Sequence, residues 1–115
     1  MSMTKTEKDE LTKTEQNQRQ FRQKIRPRYT AWSEDGKIII RVVLPGVKKS
    51  DIQMKAMKEE FMLRAPRKDI LYKLDLNLNV EIEPENSKST YSEGLLRVEL
   101  KRHNPLDDAY DVPIN

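Results

Sequence analysis

The chain of 115 residues contains no cysteine and a single histidine, His103. Disulfide bonds and thiol nucleophiles are therefore excluded, and zinc sites built from three or four Cys and His ligands are not expected. The three glycines, Gly36, Gly46 and Gly94, lie too far apart in the sequence to form a phosphate-binding loop. The sequence thus predicts no cofactor, no bound metal and no nucleotide.

Long hydrophobic runs are also missing. No apolar stretch reaches the roughly 18 residues of a membrane-spanning helix, and the N-terminus is too polar for a secretory signal. These absences favour a cytoplasmic protein with no membrane partner. The 22 Lys and Arg residues against 19 Asp and Glu give a net charge of only +3, which indicates solubility rather than a particular partner. A chain of this length holds one small domain.

Residues 1–27 form a polar, basic arm that cannot bury a core of its own. Its composition favours either a short surface helix, at residues 7–24, or disorder. The arm and its border also hold residue types that bind nucleic acid: Phe21 as a ring, with Arg19, Arg22, Lys24, Arg26 and Arg28. One ring and no recognisable nucleic-acid-binding motif favour a solvated arm, so no nucleic-acid partner is predicted.

From residue 28 to residue 102 the hydrophobic pattern has a period of two, which is typical of β-strands with one buried face. Turn-forming residues interrupt this pattern at 34–36, 45–46, 58–59, 83–86 and 93–94. Successive strands with no helix between them predict an all-β fold, an antiparallel immunoglobulin-like sandwich. The clearest strand alternates Ile70, Tyr72, Leu74, Leu76 and Leu78 on its buried face.

Two motifs in this region have distinctive sequences. The first is Leu-Pro-Gly-Val, a lysine-rich corner and Asp-Ile at residues 44–52, and the second is Ser-Thr-Tyr-Ser-Glu-Gly-Leu-Leu at residues 89–96. Together they resemble the α-crystallin domain of small heat-shock proteins. Val112, Pro113 and Ile114 are similar to the family's C-terminal Val/Ile-x-Val/Ile motif. The resemblance implies an α-crystallin sandwich at residues 28–102 and a C-terminal extension at 103–115.

The resemblance also implies a function. Small heat-shock proteins are stress-response chaperones, oligomeric ATP-independent holdases that cover the apolar surface of partly unfolded client proteins and prevent their aggregation. They self-associate through the C-terminal motif, so Val112 and Ile114 are implied to enter an apolar groove on a neighbouring subunit. The residues implied to line that groove are Ile52, Met54, Ala56, Ser89 and Tyr91.

Several features depart from the family pattern. Leu74 and Asn79 stand where an arginine and a proline are usual. The segment between Leu63 and Ile70 is too short for the strand that some members exchange to dimerise, and the arm is polar rather than apolar. These features are similar to the CS-domain co-chaperones, which share the sandwich. The alternative function is therefore a CS-like co-chaperone or adaptor that docks one defined protein partner.

Two further groups of polar residues have the side chains for other chemistry. His103, Ser92 and Asp107 supply the residue types of a hydrolase triad, but no sequence feature brings them together. Asp107, Asp108 and Asp111 offer oxygen ligands, but the glycine turn and closing glutamate of a calcium loop are missing. We therefore predict a hinge cap for His103, a solvated acidic hinge for the aspartates, and no enzyme.

Overall fold

The computed structural model describes residues 21–115. This part of the chain contains eight strands and two short 3-10 turns. The strands are β1 (Gln23–Ile25), β2 (Tyr29–Glu34), β3 (Lys37–Val43), β4 (Gln53–Met57), β5 (Glu60–Arg67), β6 (Ile70–Asn77), β7 (Ile82–Ser92) and β8 (Leu95–Arg102). One 3-10 turn, Lys49–Asp51, precedes β4, and the other, Pro105–Asp108, follows β8 and is called the hinge turn below. No helix among residues 21–115 is long and apolar enough to cross a bilayer.

The strands form two four-stranded sheets, with the orders β1-β6-β5-β4 and β2-β3-β8-β7. Neighbouring strands are antiparallel, except that β1 runs parallel to β6. The predicted all-β sandwich is confirmed. Strand β4 lies at an edge of the first sheet and β7 at an edge of the second, and the two edges contact each other across the sandwich.

The core lies between the sheets and is built from alternate residues, as the period-two pattern predicts. Its buried members include Ile38, Ile40, Val42, Phe61, Leu63, Leu74, Leu96, Val98 and Leu100. Strand β5 is also buried on its other side, where Met62 and Arg64 are at most 1% exposed. The sequence pattern did not indicate this second buried face.

Two predicted hairpin turns are present and have matching geometry. Asp35 and Gly36 join β2 to β3 with φ values of +48° and +75°, and Glu93 and Gly94 join β7 to β8 with +51° and +79°. Positive φ at both central residues is the mark of a type I′ turn, whose twist matches that of the flanking strands. Turn chemistry read from the sequence therefore fixes both hairpins.

The segment 83–86, predicted to be a loop, lies instead within β7. Strand β7 continues through it, with a shift in its pairing to β8 between Glu83 and Lys88. Pro84 has no N–H group to donate to a neighbouring strand, so the strand bulges here rather than ending. This bulge forms part of the groove described below.

Part of the predicted arm is a strand, whereas the sequence indicated helix or disorder. Gln23–Ile25 pairs with the start of β6, and the Ile25 side chain packs against the core. Weak helix propensity in a short segment is outweighed by pairing with an open sheet edge and by burial of one apolar side chain. Residues 1–20, which hold the rest of the arm and Arg19, lie outside the described residues.

The β5–β6 connection is as short as the sequence indicated. Only Lys68 and Asp69 separate the two strands, and their register is unbroken from Glu60 to Arg67. No additional strand lies between Arg67 and Ile70. The connection is therefore too short to hold a strand of its own.

Candidate protein-binding groove

The two sequence motifs meet in the folded chain. The N–H of Leu44 donates to the carbonyl of Gly94 at 2.7 Å. The hydroxyl of Tyr91 lies 2.7 Å from the carbonyl oxygen of Leu44 and 2.8 Å from that of Val47, and its proton serves one of them at a time. Burial raises the pKa of Tyr91, which keeps the hydroxyl a neutral donor. These contacts hold the segment between β3 and β4 against the β7–β8 hairpin.

A groove lies where the sheet edge β4 faces the sheet edge β7. Its floor consists of the apolar side chains of Phe61, Val98 and Leu100, each of which is at most 3% exposed. The cavity above this floor has a volume of about 250 Å³. Its walls are Met54 and Ala56 from β4, with Pro84, Ser87, Lys88 and Ser89 from β7.

The groove contains three of the residues that the resemblance implied, namely Met54, Ala56 and Ser89. The other two lie elsewhere. Ile52 is half-buried against the core, and the Tyr91 hydroxyl binds the segment after β3. The three floor residues were identified from the sequence only as apolar strand positions, because alternation does not show which inward residues border an open edge.

One polar group in the groove has no partner. The hydroxyl oxygen of Ser87 is inaccessible to solvent and makes no hydrogen bond among residues 21–115. A buried polar atom without a partner costs roughly 1 to 3 kcal/mol. The apolar floor between two sheet edges suits a short extended segment that carries apolar side chains.

The apolar side chains of the C-terminal extension are exposed to solvent. Val112 is 87% exposed and Ile114 is 99% exposed, so neither packs on the sandwich of its own chain. The hinge turn lies between β8 and the rest of the extension, and Asn104 caps its start because the side-chain oxygen of Asn104 accepts from the N–H of Leu106 at 3.0 Å. An extended segment with two unburied apolar residues is thus available to another molecule.

Two larger clefts lie away from the facing edges of β4 and β7. One, of about 770 Å³, is lined by residues that include Arg26, Arg28 and Arg41 together with the apolar Val43 and Leu95, and the other, of about 720 Å³, by residues that include Lys48 and Arg67. Neither cleft is lined by residues of β4 or β7, the two facing sheet edges that can pair with an extended segment. We therefore place the candidate site at the smaller groove.

The residues of the hypothetical triad are not assembled. Ser92 ends β7 beside the start of β8, whereas His103 follows the end of β8, so the two lie at opposite ends of an eight-residue strand. The His103 ring contacts Asp108 in the hinge turn, not Asp107. The structure offers no nucleophile, base and acid within reach of one another at these three positions.

The fold is a sandwich of two four-stranded sheets, with the Leu-Pro-Gly segment held against a Tyr-containing hairpin and a groove between two sheet edges. It is similar to the fold of several small heat-shock proteins. No family model matches the chain. Its sequence is 23% identical over 120 aligned residues to the "Probable 15 kDa heat shock protein" of Leptospira interrogans, with 92% of each chain covered.

Solved structures give the same result for the fold. Heat shock protein 16.0 from Schizosaccharomyces pombe matches with a TM-score of 0.63 at 17% identity, covering 79% of this chain and 99% of that one. A small heat-shock protein from Xylella fastidiosa matches with a TM-score of 0.58 at 15% identity, covering 77% and 92%. The predicted resemblance to small heat-shock proteins is confirmed, and the CS-like alternative is not favoured.

Proposed function

We propose that this chain is an ATP-independent chaperone of the small heat-shock type, which holds partly unfolded client proteins and prevents their aggregation. The observation that carries the proposal is the apolar-floored groove between β4 and β7. Similarity in sequence to a protein named as a heat shock protein supports it. The cytoplasm, where clients unfold during stress, is the proposed location.

The groove can bind a client by burial and by backbone pairing. An unfolded segment exposes apolar side chains, and each such side chain gains about 1.5 to 3 kcal/mol when it is fully buried. Strands β4 and β7 are both sheet edges, so they carry unpaired backbone groups that an extended client segment satisfies. Neither interaction uses nucleotide, so the binding is driven without ATP.

The same groove is the proposed site for the C-terminal extension of a neighbouring subunit. Val112 and Ile114 are two positions apart, so in an extended chain both point to the same side, about 7 Å apart. Pro113 between them favours the extended backbone and reduces the entropy lost on docking. Burial of the two side chains contributes about 3 to 6 kcal/mol before ordering costs, which is strong enough to assemble subunits and weak enough to be reversible.

Charge favours this docking as well. Residues 104–115 carry Asp107, Asp108 and Asp111 with no Lys or Arg, while Lys88 stands on the wall of the groove. Asp111 precedes Val112, so a docked extension brings an acidic group near Lys88. The attraction between exposed charges is worth less than about 1 kcal/mol and is screened by salt, so it adjusts the docking rather than driving it.

In this proposal the chain has three parts with separate tasks. The sandwich at residues 28–102 supplies the groove, and the extension at 103–115 supplies the segment that occupies it. Residues 1–27 contribute a basic arm that attracts the acidic extension of another subunit. Clients and extensions compete for one surface, so release of the extension makes the groove available.

Capture of a client can be tested directly. Citrate synthase heated with excess chaperone in nucleotide-free buffer is expected to stay soluble and to elute on size-exclusion chromatography in a large complex that contains both proteins. Lysozyme in place of the chaperone is the control for a small, stable, basic protein. The function is contradicted if citrate synthase precipitates as with lysozyme and the chain elutes alone.

A further inference from the structure

A cluster of metal-ligating side chains joins the end of the sandwich to the hinge turn. Glu81 comes just before β7, His103 follows β8, and Asp108 is the last residue of the hinge turn. The Nε2 atom of His103 lies 2.5 Å from Oδ2 of Asp108 and 3.7 Å from Oε2 of Glu81. The three ligand atoms all lie within 4.8 Å of one another.

We propose that Glu81, His103 and Asp108 form a zinc site that fastens the hinge turn to the sandwich. Zinc bonds of 2.0 to 2.1 Å in a tetrahedral site separate neighbouring ligand atoms by about 3.3 Å. The two distances from the His103 nitrogen, 2.5 Å and 3.7 Å, lie on either side of this value. Asp108 has a side chain 73% exposed, so it is free to make the necessary shift of under about 1 Å.

The donor set favours zinc over the hard cations. One imidazole nitrogen and two carboxylate oxygens suit Zn²⁺, which accepts three protein ligands and a water molecule in the fourth position. Mg²⁺ and Ca²⁺ prefer six or more oxygen ligands, which this cluster does not provide. The site differs from the acidic hinge considered in the sequence, because Asp107 and Asp111 take no part in it.

A second layer of contacts orients the imidazole ring. Glu83 places Oε2 3.5 Å from Nδ1 of His103, on the side of the ring opposite to Nε2. Asn86 donates to the other oxygen of Glu83 at 2.7 Å, and this hydrogen bond lowers the pKa of Glu83 and keeps it ionised. A carboxylate that accepts from Nδ1–H leaves the Nε2 lone pair for a metal, as in most histidine-ligated sites.

The backbone holds the ligands in place before any ion binds. The N–H of His103 donates to the carbonyl of Glu81 at 2.9 Å, which fixes two ligand residues side by side. The capped hinge turn sets the third ligand, because Asn104 and Pro105 define its start. Residues far apart in the sequence are thus brought to one point by the sandwich edge and the turn that follows it.

Two other interactions lie beside this point. The hydrogen bond to Asp108 raises the pKa of His103. Lys58 pairs with Oε1 of Glu81 at 3.5 Å, which leaves Oε2 turned toward the ring. Zinc therefore does not need to displace the lysine.

Zinc would restrain the direction in which the extension leaves the sandwich. Within residues 21–115 the hinge turn is held to the ring of His103 by the contact with the exposed Asp108. Coordination replaces this contact with metal bonds and fixes the direction in which residues 109–115 leave the sandwich. Zinc binding itself is independent of the proposed chaperone function, and it is measured without a client.

The test is isothermal titration of ZnCl₂ into the full-length chain at pH 7.5. We expect one zinc per chain for the wild type. Glu83→Gln, which removes only the ring-orienting carboxylate, is expected to weaken binding by about 10- to 100-fold. His103→Gln and Asp108→Asn are expected to weaken it by more than Glu83→Gln does.

Asp111→Asn is the matched control, because it removes one carboxylate from the same extension and leaves the three ligands in place. It is expected to leave zinc affinity unchanged, and MgCl₂ is expected to give no one-to-one binding. Asp108→Asn changes an exposed turn residue, and its fold is checked by circular dichroism. The site is overturned if Asp108→Asn and Asp111→Asn weaken binding equally, or if the wild type binds less than half a zinc per chain.

Discussion

Replacement of Val112 and Ile114 together by glycine is expected to lower the mass of the wild-type assembly severalfold, to that of its smallest stable unit. The two side chains are 87% and 99% exposed, so both are available for docking. Their burial contributes about 3 to 6 kcal/mol per docked extension, and glycine at both positions removes this contribution. A change of that size weakens each contact by roughly 100-fold or more. Size-exclusion chromatography with multi-angle light scattering measures the mass.

A matched control separates docking of the motif from general loss of apolar surface. Tyr110 is 92% exposed and lies two residues before the motif, so Tyr110→Ala removes a larger apolar side chain from the same extension. Its mass is expected to equal that of the wild type. On the groove side, Met54→Lys is expected to reproduce the glycine variant, whereas Lys55→Glu, on the opposite face of β4, is not. An unchanged mass in the double glycine variant would contradict the docking proposal.

Removal of the Asp75 carboxylate is expected to destabilise the sandwich by about 3 kcal/mol, because it leaves Arg64 charged and buried without a counterion. The guanidinium is 1% exposed and forms two bonds to Asp75, at 2.7 Å from Nη1 and 3.2 Å from Nη2. Among residues 21–115 the guanidinium also donates to the Leu63 carbonyl at 2.8 Å. Urea unfolding of Asp75→Ala at fixed protein concentration measures the change as a lower midpoint.

The expected rescue identifies the cause. In the Asp75→Ala background, Arg64→Met removes the unpaired charge and keeps an apolar side chain of similar length, so most of the lost stability is expected to return. Glu99, which pairs with Lys37 at 3.3 Å where both side chains are partly exposed, provides the control. Glu99→Ala is expected to cost less than about 1 kcal/mol. Equal losses of unfolding free energy in Asp75→Ala and Glu99→Ala would contradict the prediction that the buried ion pair contributes more to stability than the partly exposed one.

The strand pattern and the hairpin turns were predictable because they depend on neighbours in the sequence. Alternation over β3, β6 and β8 reports directly which residues face the core, and positive φ at Gly36 and Gly94 explains why the chain turns there. The family resemblance implied that residues near the two motifs line one groove, but it did not predict the direct contact between the motifs. The physical basis of that contact, the Tyr91 hydroxyl at the carbonyls after β3, needed the structure.

The features that the sequence did not reveal depend on contacts between distant segments. Arg64 and Asp75 are polar residues on different strands, and nothing in either segment shows that the arginine is fully buried. The bulge of β7 replaces a predicted loop because the flanking residues, Glu83 and Lys88, both keep pairing with β8. Strand β1 forms because an open edge of β6 is available beside it.

The candidate groove was only partly predictable from the sequence. Met54, Ala56 and Ser89 were identified from the sequence, since the resemblance placed the groove at the two strands that contain them. The floor and the unpaired Ser87 hydroxyl were not, because they depend on how two sheet edges meet. The cluster around His103 was also missed. Glu81 and Asp108 lie 22 and 5 positions from His103, and no sequence pattern shows that the three side chains meet.

Suppression of client aggregation in the absence of nucleotide is the most direct test of the proposed function. Light scattering of citrate synthase at its unfolding temperature is followed with increasing amounts of the chain, with and without ATP. A holdase is expected to suppress the scattering in proportion to its concentration, equally in both conditions. Undiminished scattering at severalfold molar excess of the chain, or suppression only when ATP is present, would contradict the proposed function.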